Sequence, residues 1–227
     1  MSETLTWKAI PVSLLLLDVD NPRLPEVQNS QHSAIISMVK SQEEKIIILA
    51  QHLVNHGPNP ASLLIVTPAA DGSGEHFVLD GNRRVAALKL LEMPSLVDGI
   101  ISNKLAKKLR QLSSRFHKNP ITEMNCVVLP SRDHADAWIV LIHRGQQQGA
   151  GLVEWDGQVA ARYDARRADK QDLALEVLSF VRQGGGVSEQ TMRVIDEGKF
   201  PITTLRRLLN TRYVRNKLGI EVSVNIG

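Results

Sequence analysis

Four residues in the first half of the chain, Gly81-Asn82-Arg83-Arg84, combine the parts that a phosphate group needs. A glycine lets backbone approach an anion closely, the first turn of a helix offers unpaired N–H groups and its positive dipole end, and a guanidinium adds charge with a forked set of donors. Asp80 follows the apolar segment Glu75 to Leu79, and Val85, Ala86, Leu88 and Leu91 continue with helical spacing. The box therefore sits at a strand-to-helix turn. Two adjacent arginines cannot point the same way on a helix. One is expected to fork onto phosphate, and the other to hold a second phosphate or a carboxylate, Asp80 or Asp20. The competing reading is a plain tight turn at Gly81 followed by a solvated helical turn.

Other side chains in the chain are capable of chemistry. Asp18, Asp20 and Asp80 are hard oxygen donors suited to magnesium, and equally suited to capping turns, so no metal ligand is assigned among them. His52 and His56 share one helix face at the spacing zinc sites use, yet the accompanying glutamate and cysteines are missing, and an ordinary helix end explains both. His143, beside Arg144 and Gly145, ends a helix, where facing a nucleotide competes with C-capping. The single cysteine, Cys126, lies in the apolar segment Met124 to Leu129 and reads as a small buried side chain. One cysteine excludes a disulfide framework and fits a reducing compartment.

These residues need elements to hold them. Ile10 to Leu17 reads as a strand, ended by Asp18-Val19-Asp20-Asn21-Pro22-Arg23, and the spacing from Ile35 to Leu53 predicts a long helix broken around Lys40-Ser41. Ser62 to Thr67 and Glu75 to Leu79 read as paired strands joined by a glycine-containing loop, Asn82 to Leu91 as a helix, and 101 to 118 as a basic amphipathic helix. Met124 to Leu129 is a further strand candidate, and Ser131 opens a helix that stops at His143-Arg144-Gly145. Helical patterns follow from Trp155 to Arg167, Asp172 to Gln183, Ser188 to Glu197 and Pro201 to Asn210, with a break at Gly184-Gly185-Gly186.

At 227 residues and 43% hydrophobic content, the chain has enough material for two domains. No apolar run is long enough to span a bilayer, and Met1-Ser2-Glu3-Thr4 lacks the opening of a signal peptide, so the expected location is the cytoplasm, with no membrane role. Residues 1–99 carry 7 basic and 11 acidic side chains, while 170–227 carry 9 and 6, an asymmetry that hints at a polyanionic partner. The tail has helix, glycine-containing turn and helix at lengths compatible with a helix-turn-helix. Residues 199–217 hold six Lys and Arg side chains and no acid. Thr203, Thr204, Arg206 and Arg207 are candidate base or phosphate contacts, and Arg212 and Arg215 candidate phosphate contacts. A helical bundle with a solvated basic face competes. For the lysines of 101–118, solvation competes with an extended DNA surface.

The order of apolar strand, Asn21-Pro22-Arg23, helix, strand and Gly81-Asn82-Arg83-Arg84-Val85-Ala86-Ala87 resembles the ParB/sulfiredoxin superfamily over roughly residues 10 to 165. In ParB-like proteins the first box follows the opening strand and the second grips a nucleotide; a third, looser match runs from His143-Arg144-Gly145 to Trp155 and Tyr163. The resemblance implies an α/β (α+β) fold: a small mixed sheet with helices over residues 1–168, a basic helical insertion at about 95–120, and a helix-turn-helix-like domain over 169–227 that ends without a closing element, as in a truncated chain. It implies a nucleoside triphosphate, CTP or ATP, with Mg2+, held by Asn21, Arg23, Asp80, Gly81, Asn82, Arg83 and Arg84 together with His143, Arg144 and Gly145. It further implies coupling of that nucleotide to double-stranded DNA, a homodimer as one state, and slow CTPase or ATPase activity. Sulfiredoxin has a cysteine inside its glycine-to-arginine motif, where this chain has Asn82, which disfavours that chemistry. A magnesium-dependent phosphotransferase or nuclease of the same fold is the second expectation, and an interaction module without nucleotide the third.

Overall fold

A computed structural model describes residues 5–184 and 186–220. Met1 to Thr4 and Gly185, which figured in the expectations above, lie outside the described residues. The fold is α+β: two compact units divide between Arg144 and Gly145.

The first unit opens with β1 (Thr6–Pro11), a single 3-10 turn and β2 (Leu15–Leu17). The run expected as one strand is therefore two, because Pro11 cannot continue donating to a ladder and the chain turns at Val12, whose N–H bonds Thr122 O at 2.8 Å. Helix α1 (Gln31–Gln42) starts at a capping box in which Ser30 and Ser33 bond each other's backbone N–H. It breaks from α2 (Glu44–His56) at Glu43, where φ is 39°, three residues beyond Lys40. Strands β3 (Leu64–Pro68) and β4 (His76–Asp80) form a hairpin that leads through Gly81 into α3 (Asn82–Glu92). Helix α4 (Asn103–Phe116), capped by Ser102, precedes β5 (Glu123–Val128) and α5 (Arg132–His143).

The five strands run in the order β1-β5-β3-β4-β2, antiparallel for β1/β5 and β3/β4, parallel for β5/β3 and β4/β2. Alternation divides their side chains between two faces. Ile10, Leu64, Val66, Val78, Met124 and Cys126 meet residues of α1 to α4 in the main core. Ile65, Leu79 and Leu129 meet Ala135 of α5 in a smaller cluster on the other face. A register shift between Ile65 and Val66 lies just before the last pair of the ladder, Ile65 with Asp80.

The second unit is helical: α6 (Gly157–Ala168), α7 (Leu173–Gly184), α8 (Glu189–Asp196), α9 (Ile202–Asn210) and α10 (Arg212–Lys217). Ala161, Ala174, Leu178, Ile195, Ile202 and Leu209 form its core. Asp156 caps α6 by accepting from Gln158 and Val159 N–H at 2.7 and 2.9 Å, and buried Gln158 donates to Ile195 O at 2.8 Å. Helix α6 thus packs with the tail helices, and the division falls at Arg144/Gly145 where residues 168/169 were expected. No helix among the described residues is long and apolar enough to cross a membrane.

Candidate anion-binding site

The turn from β4 into α3 is built around Gly81, which occupies the left-handed region at φ 98° and stands at the N-cap of α3. Its carbonyl accepts from Arg84 and Val85 N–H at 2.9 and 3.2 Å, leaving the N–H groups of Asn82 and Arg83 in the part of the helix that has no intrahelical acceptors. Those donors and the dipole of an 11-residue helix converge on one point.

Asn82 serves this turn from inside. Its side chain is buried, accepting from Asp18 N–H at 2.9 Å and donating to Val78 O at 2.5 Å. Expected as a ligand contact, the Asn82 side chain instead ties the end of β2 to β4, so its backbone N–H is the donor it leaves for a ligand. The tie also places the first box. Asn21 accepts from Arg23 N–H at 2.9 Å in an Asx-type turn, and Leu24 N–H bonds Asn21 O at 2.9 Å, which sets Arg23 beside the Gly81 turn.

The two adjacent arginines have different surroundings. Arg84 is held by Ser62 O, by Leu63 O at 3.1 Å and by Asp80 at 3.5 Å, and burial pulls its pKa down against the attraction of Asp80. Arg83 has none of these partners. Its Nε is buried with no hydrogen bond, and burial, then repulsion from Arg23, pull its pKa below the usual arginine range. Asp80, between Arg84 and His143, accepts from His143 Nε2 at 2.7 Å.

A cavity of about 760 Å³ lies over this turn, lined by Asn21, Arg23, Asp80 to Arg84, His143 and Arg144, with Leu49, Leu79, Ile139 and Ile142 as its apolar wall. That is a volume ordinary for a nucleotide-sized ligand. No Phe, Tyr or Trp side chain among the described residues lines it. Gly145 belongs to the second unit. Cys126 lies in the main core, where burial pushes its thiol up to about 11, so it is not a thiolate nucleophile at neutral pH.

Asp18, a hard oxygen donor by residue type, is occupied within the protein. It is buried, its Oδ1 accepts from Arg132 at 2.5 Å and from Asp20 N–H at 3.1 Å, and its Oδ2 is buried with no partner. Arg132 is pulled above its usual pKa chiefly by the hydrogen bond to Asp18. Removing one partner of such a pair strands the other charge. Arg132→Ala is expected to lower unfolding free energy by about 2 kcal/mol, below the fully buried range because Arg132 is partly exposed, and Asp18→Asn in the same background should recover much of it. Urea unfolding measures both; an unchanged midpoint in Arg132→Ala would show that the pair does not hold the first box in place.

In the second unit, α8 and α9 are joined by a short turn through Gly198. Ile202 and Leu209 face the core of the unit, while Thr203, Thr204 and Arg207 are exposed on the outer side of α9, and Arg212 is exposed in α10. Arg206, expected on that outer side, is turned inward and bonded to Asp172 through Nε at 2.8 Å and through Nη2. Arg215 donates to Leu209 O at 2.5 Å and so caps the end of α9. These two cations are committed within the unit. The sequence reading missed this, since each partner lies on another element or on a carbonyl that periodicity does not mark.

No family model matches the chain, and no curated protein matches it. Among solved structures, the chain is similar to the C-terminally truncated chromosome-partitioning protein ParB from Caulobacter crescentus complexed with CTP-gamma-S, at 12% identity and a TM-score of 0.41, over 95% of this chain and 99% of that one.

Proposed function

We propose that the first unit binds a nucleoside triphosphate, CTP or ATP, at the Gly81 turn, and that this binding is coupled to duplex DNA held by the helical unit. The observation that carries the proposal is the state of Arg83: a cation facing Arg23, its Nε buried without a partner, at the N-terminus of α3 and on a nucleotide-sized cavity. Like charges facing each other raise the energy of the empty site, and a polyphosphate removes that cost by neutralising both. The ligand's phosphates then lie on the N–H groups of Asn82 and Arg83 between Arg83 and Arg23. Its sugar and base lie toward Leu49, Leu79, Ile139 and Ile142, where recognition rests on apolar packing and backbone groups, with the His143 imidazole on the same cavity wall.

Magnesium does not fit this donor set as a protein-held ion. Both oxygens of Asp80 face cationic or donor groups, Asp18 is bonded to Arg132, and no group of three His, Cys, Asp or Glu residues among the described residues is arranged to hold a metal. Magnesium therefore enters this reading only as a companion of the triphosphate's own oxygens. For DNA, Thr203, Thr204, Arg207 and Arg212 are the side chains proposed to make contact, while Arg206 and Arg215 shape the unit.

A second reading, turnover of the nucleotide, is favoured by the His143–Asp80 hydrogen bond on the cavity wall, an arrangement in which a carboxylate orients an imidazole as a base. Titration calorimetry of the chain with CTP, ATP and GTP, each with magnesium and with a chelator, separates the possibilities. Saturable binding of one triphosphate, tightened by duplex DNA, is the expected result. Equal heats for all three and for buffer would remove the nucleotide reading. Phosphate release that His143→Ala stops would favour the enzyme.

A further inference from the structure

Helix α4 and its flanks carry a run of positive charge in the first unit, and no α4 residue lines the cavity at Gly81. Between Asp98 and Glu123 the chain has six Lys and Arg side chains and no acidic one. Leu109, Leu112 and Phe116 are buried in the main core, which fixes the helix face turned away from solvent. At 100° per residue the opposite side then presents Lys104, Lys107, Gln111 and Arg115 in one stripe, with Lys108 at its margin.

Among the described residues, the one ion pair formed by these six cations is Arg110 with Asp98 at 2.6 Å. Lys104, Lys107 and Lys118 form no ion pair among the described residues, and Arg115 donates to Asn55 of α2 at 2.9 Å, a neutral partner that orients the guanidinium without cancelling its charge. Helix α2 extends the surface with exposed Lys45, His52 and His56, whose rings lie 4.8 Å apart.

We propose that the outer face of α4, with the adjoining edge of α2, is a docking surface for the phosphate backbone of duplex DNA. This extends the DNA half of the proposed function and rests on it; the cavity at Gly81 is not involved. Three observations select the partner. A membrane-surface helix must offer its apolar side to lipid, but that side of α4 is buried in the core. A protein interface has an apolar centre, whereas none of the exposed large apolar side chains belongs to α4 and Ile48 alone among them belongs to α2, too little for such a centre. What remains is a row of like charges on a rigid rod of 14 residues, about 21 Å long, beside which duplex DNA presents roughly a dozen phosphates. A row made mostly of flexible ammonium groups, whose guanidinium Arg115 is already bonded to Asn55, positions a backbone more than it reads sequence.

The test uses the full chain and a fluorescent mixed-sequence duplex, with affinity measured from about 50 to 200 mM salt. Lys104→Gln, Lys107→Gln and Lys118→Gln are combined in one variant; a control variant removes the same charge at exposed Lys8, Lys40 and Lys170. Each lost phosphate contact lowers the slope of log affinity against log salt by about 0.9, so the α4 variant should lose between about 2 and 3 in slope, and on the order of a hundredfold in affinity at the low-salt end. The control variant should lose much less. Equal losses in both variants would reduce the effect to net charge and overturn the proposal. So would an α4 variant that keeps the parent slope; triphosphate calorimetry on that variant then shows separately whether the cavity reading stands. Absence of duplex binding by the parent chain also overturns it, together with the DNA half of the proposed function.

Discussion

Arg83→Ala should lower triphosphate affinity roughly 30- to 150-fold while leaving the chain at least as stable as the parent. The loss follows from the size of a hydrogen bond to a charged group in a partly desolvated site, about 2 to 3 kcal/mol, since Arg83 Nε is buried without a partner among the described residues. The stability result follows from the same surroundings with opposite sign. Burial and Arg23 both make the Arg83 charge unfavourable in the empty protein, so its pKa is lowered and its removal relieves a cost. Because the group stays protonated on both sides of folding across neutral pH, this relief should show no pH dependence there. Arg84→Ala is the contrast. It removes the partners of Ser62 O, Leu63 O and Asp80, and should lower the melting temperature. Calorimetry and thermal melts on the two variants separate a ligand-holding arginine from a structural one. If Arg83→Ala melts lower and binds as the parent does, the roles are reversed and the anion site is not where it has been placed.

That division of labour between adjacent arginines shows how far the sequence could be read. Glycine, helix start and two cations in four residues are a local pattern, and so is the hairpin that delivers them, because alternation and turn residues mark it without reference to the rest of the chain. Tertiary partners are not local. Asn82 reaches Asp18 across 64 positions, and Arg132 reaches the same aspartate across 114. No periodicity announces either bond, and both change what the residue does: Asn82 becomes a tie, and Asp18 a buried acceptor. The same holds for Arg206 and Arg207, neighbours of identical chemistry. Asp172, 34 positions away, draws Arg206 inward and leaves Arg207 exposed. The strand expected over Ile10 to Leu17 divided for a local reason, a proline with no N–H, which a mostly apolar pattern concealed.

Gly81→Ala should cost about 3 kcal/mol of stability and most of the nucleotide affinity with it. Two effects add. At φ 98° an L-residue is strained by about 1 to 2 kcal/mol. A Cβ there would also overlap Leu64 Cδ2 and lie 2.8 Å from Arg84 Nη2, and Leu64 has no room to retreat because it is fully buried in the main core. Overpacking of that kind costs about 1 to 3 kcal/mol. Gly72 separates the terms, since it has φ +74° with nothing within 4 Å of a Cβ, so Gly72→Ala should show the strain alone. Chemical unfolding of both variants gives the difference. Leu64→Ala then probes the contact: combined with Gly81→Ala it should cost less than the sum of the single changes by on the order of 1 kcal/mol, because the smaller side chain makes space for the new methyl. Additive costs, or a Gly81→Ala variant no worse than Gly72→Ala, would mean that the turn tolerates a side chain. In that case the close approach of backbone to ligand, on which the phosphate site depends, would lose its structural basis.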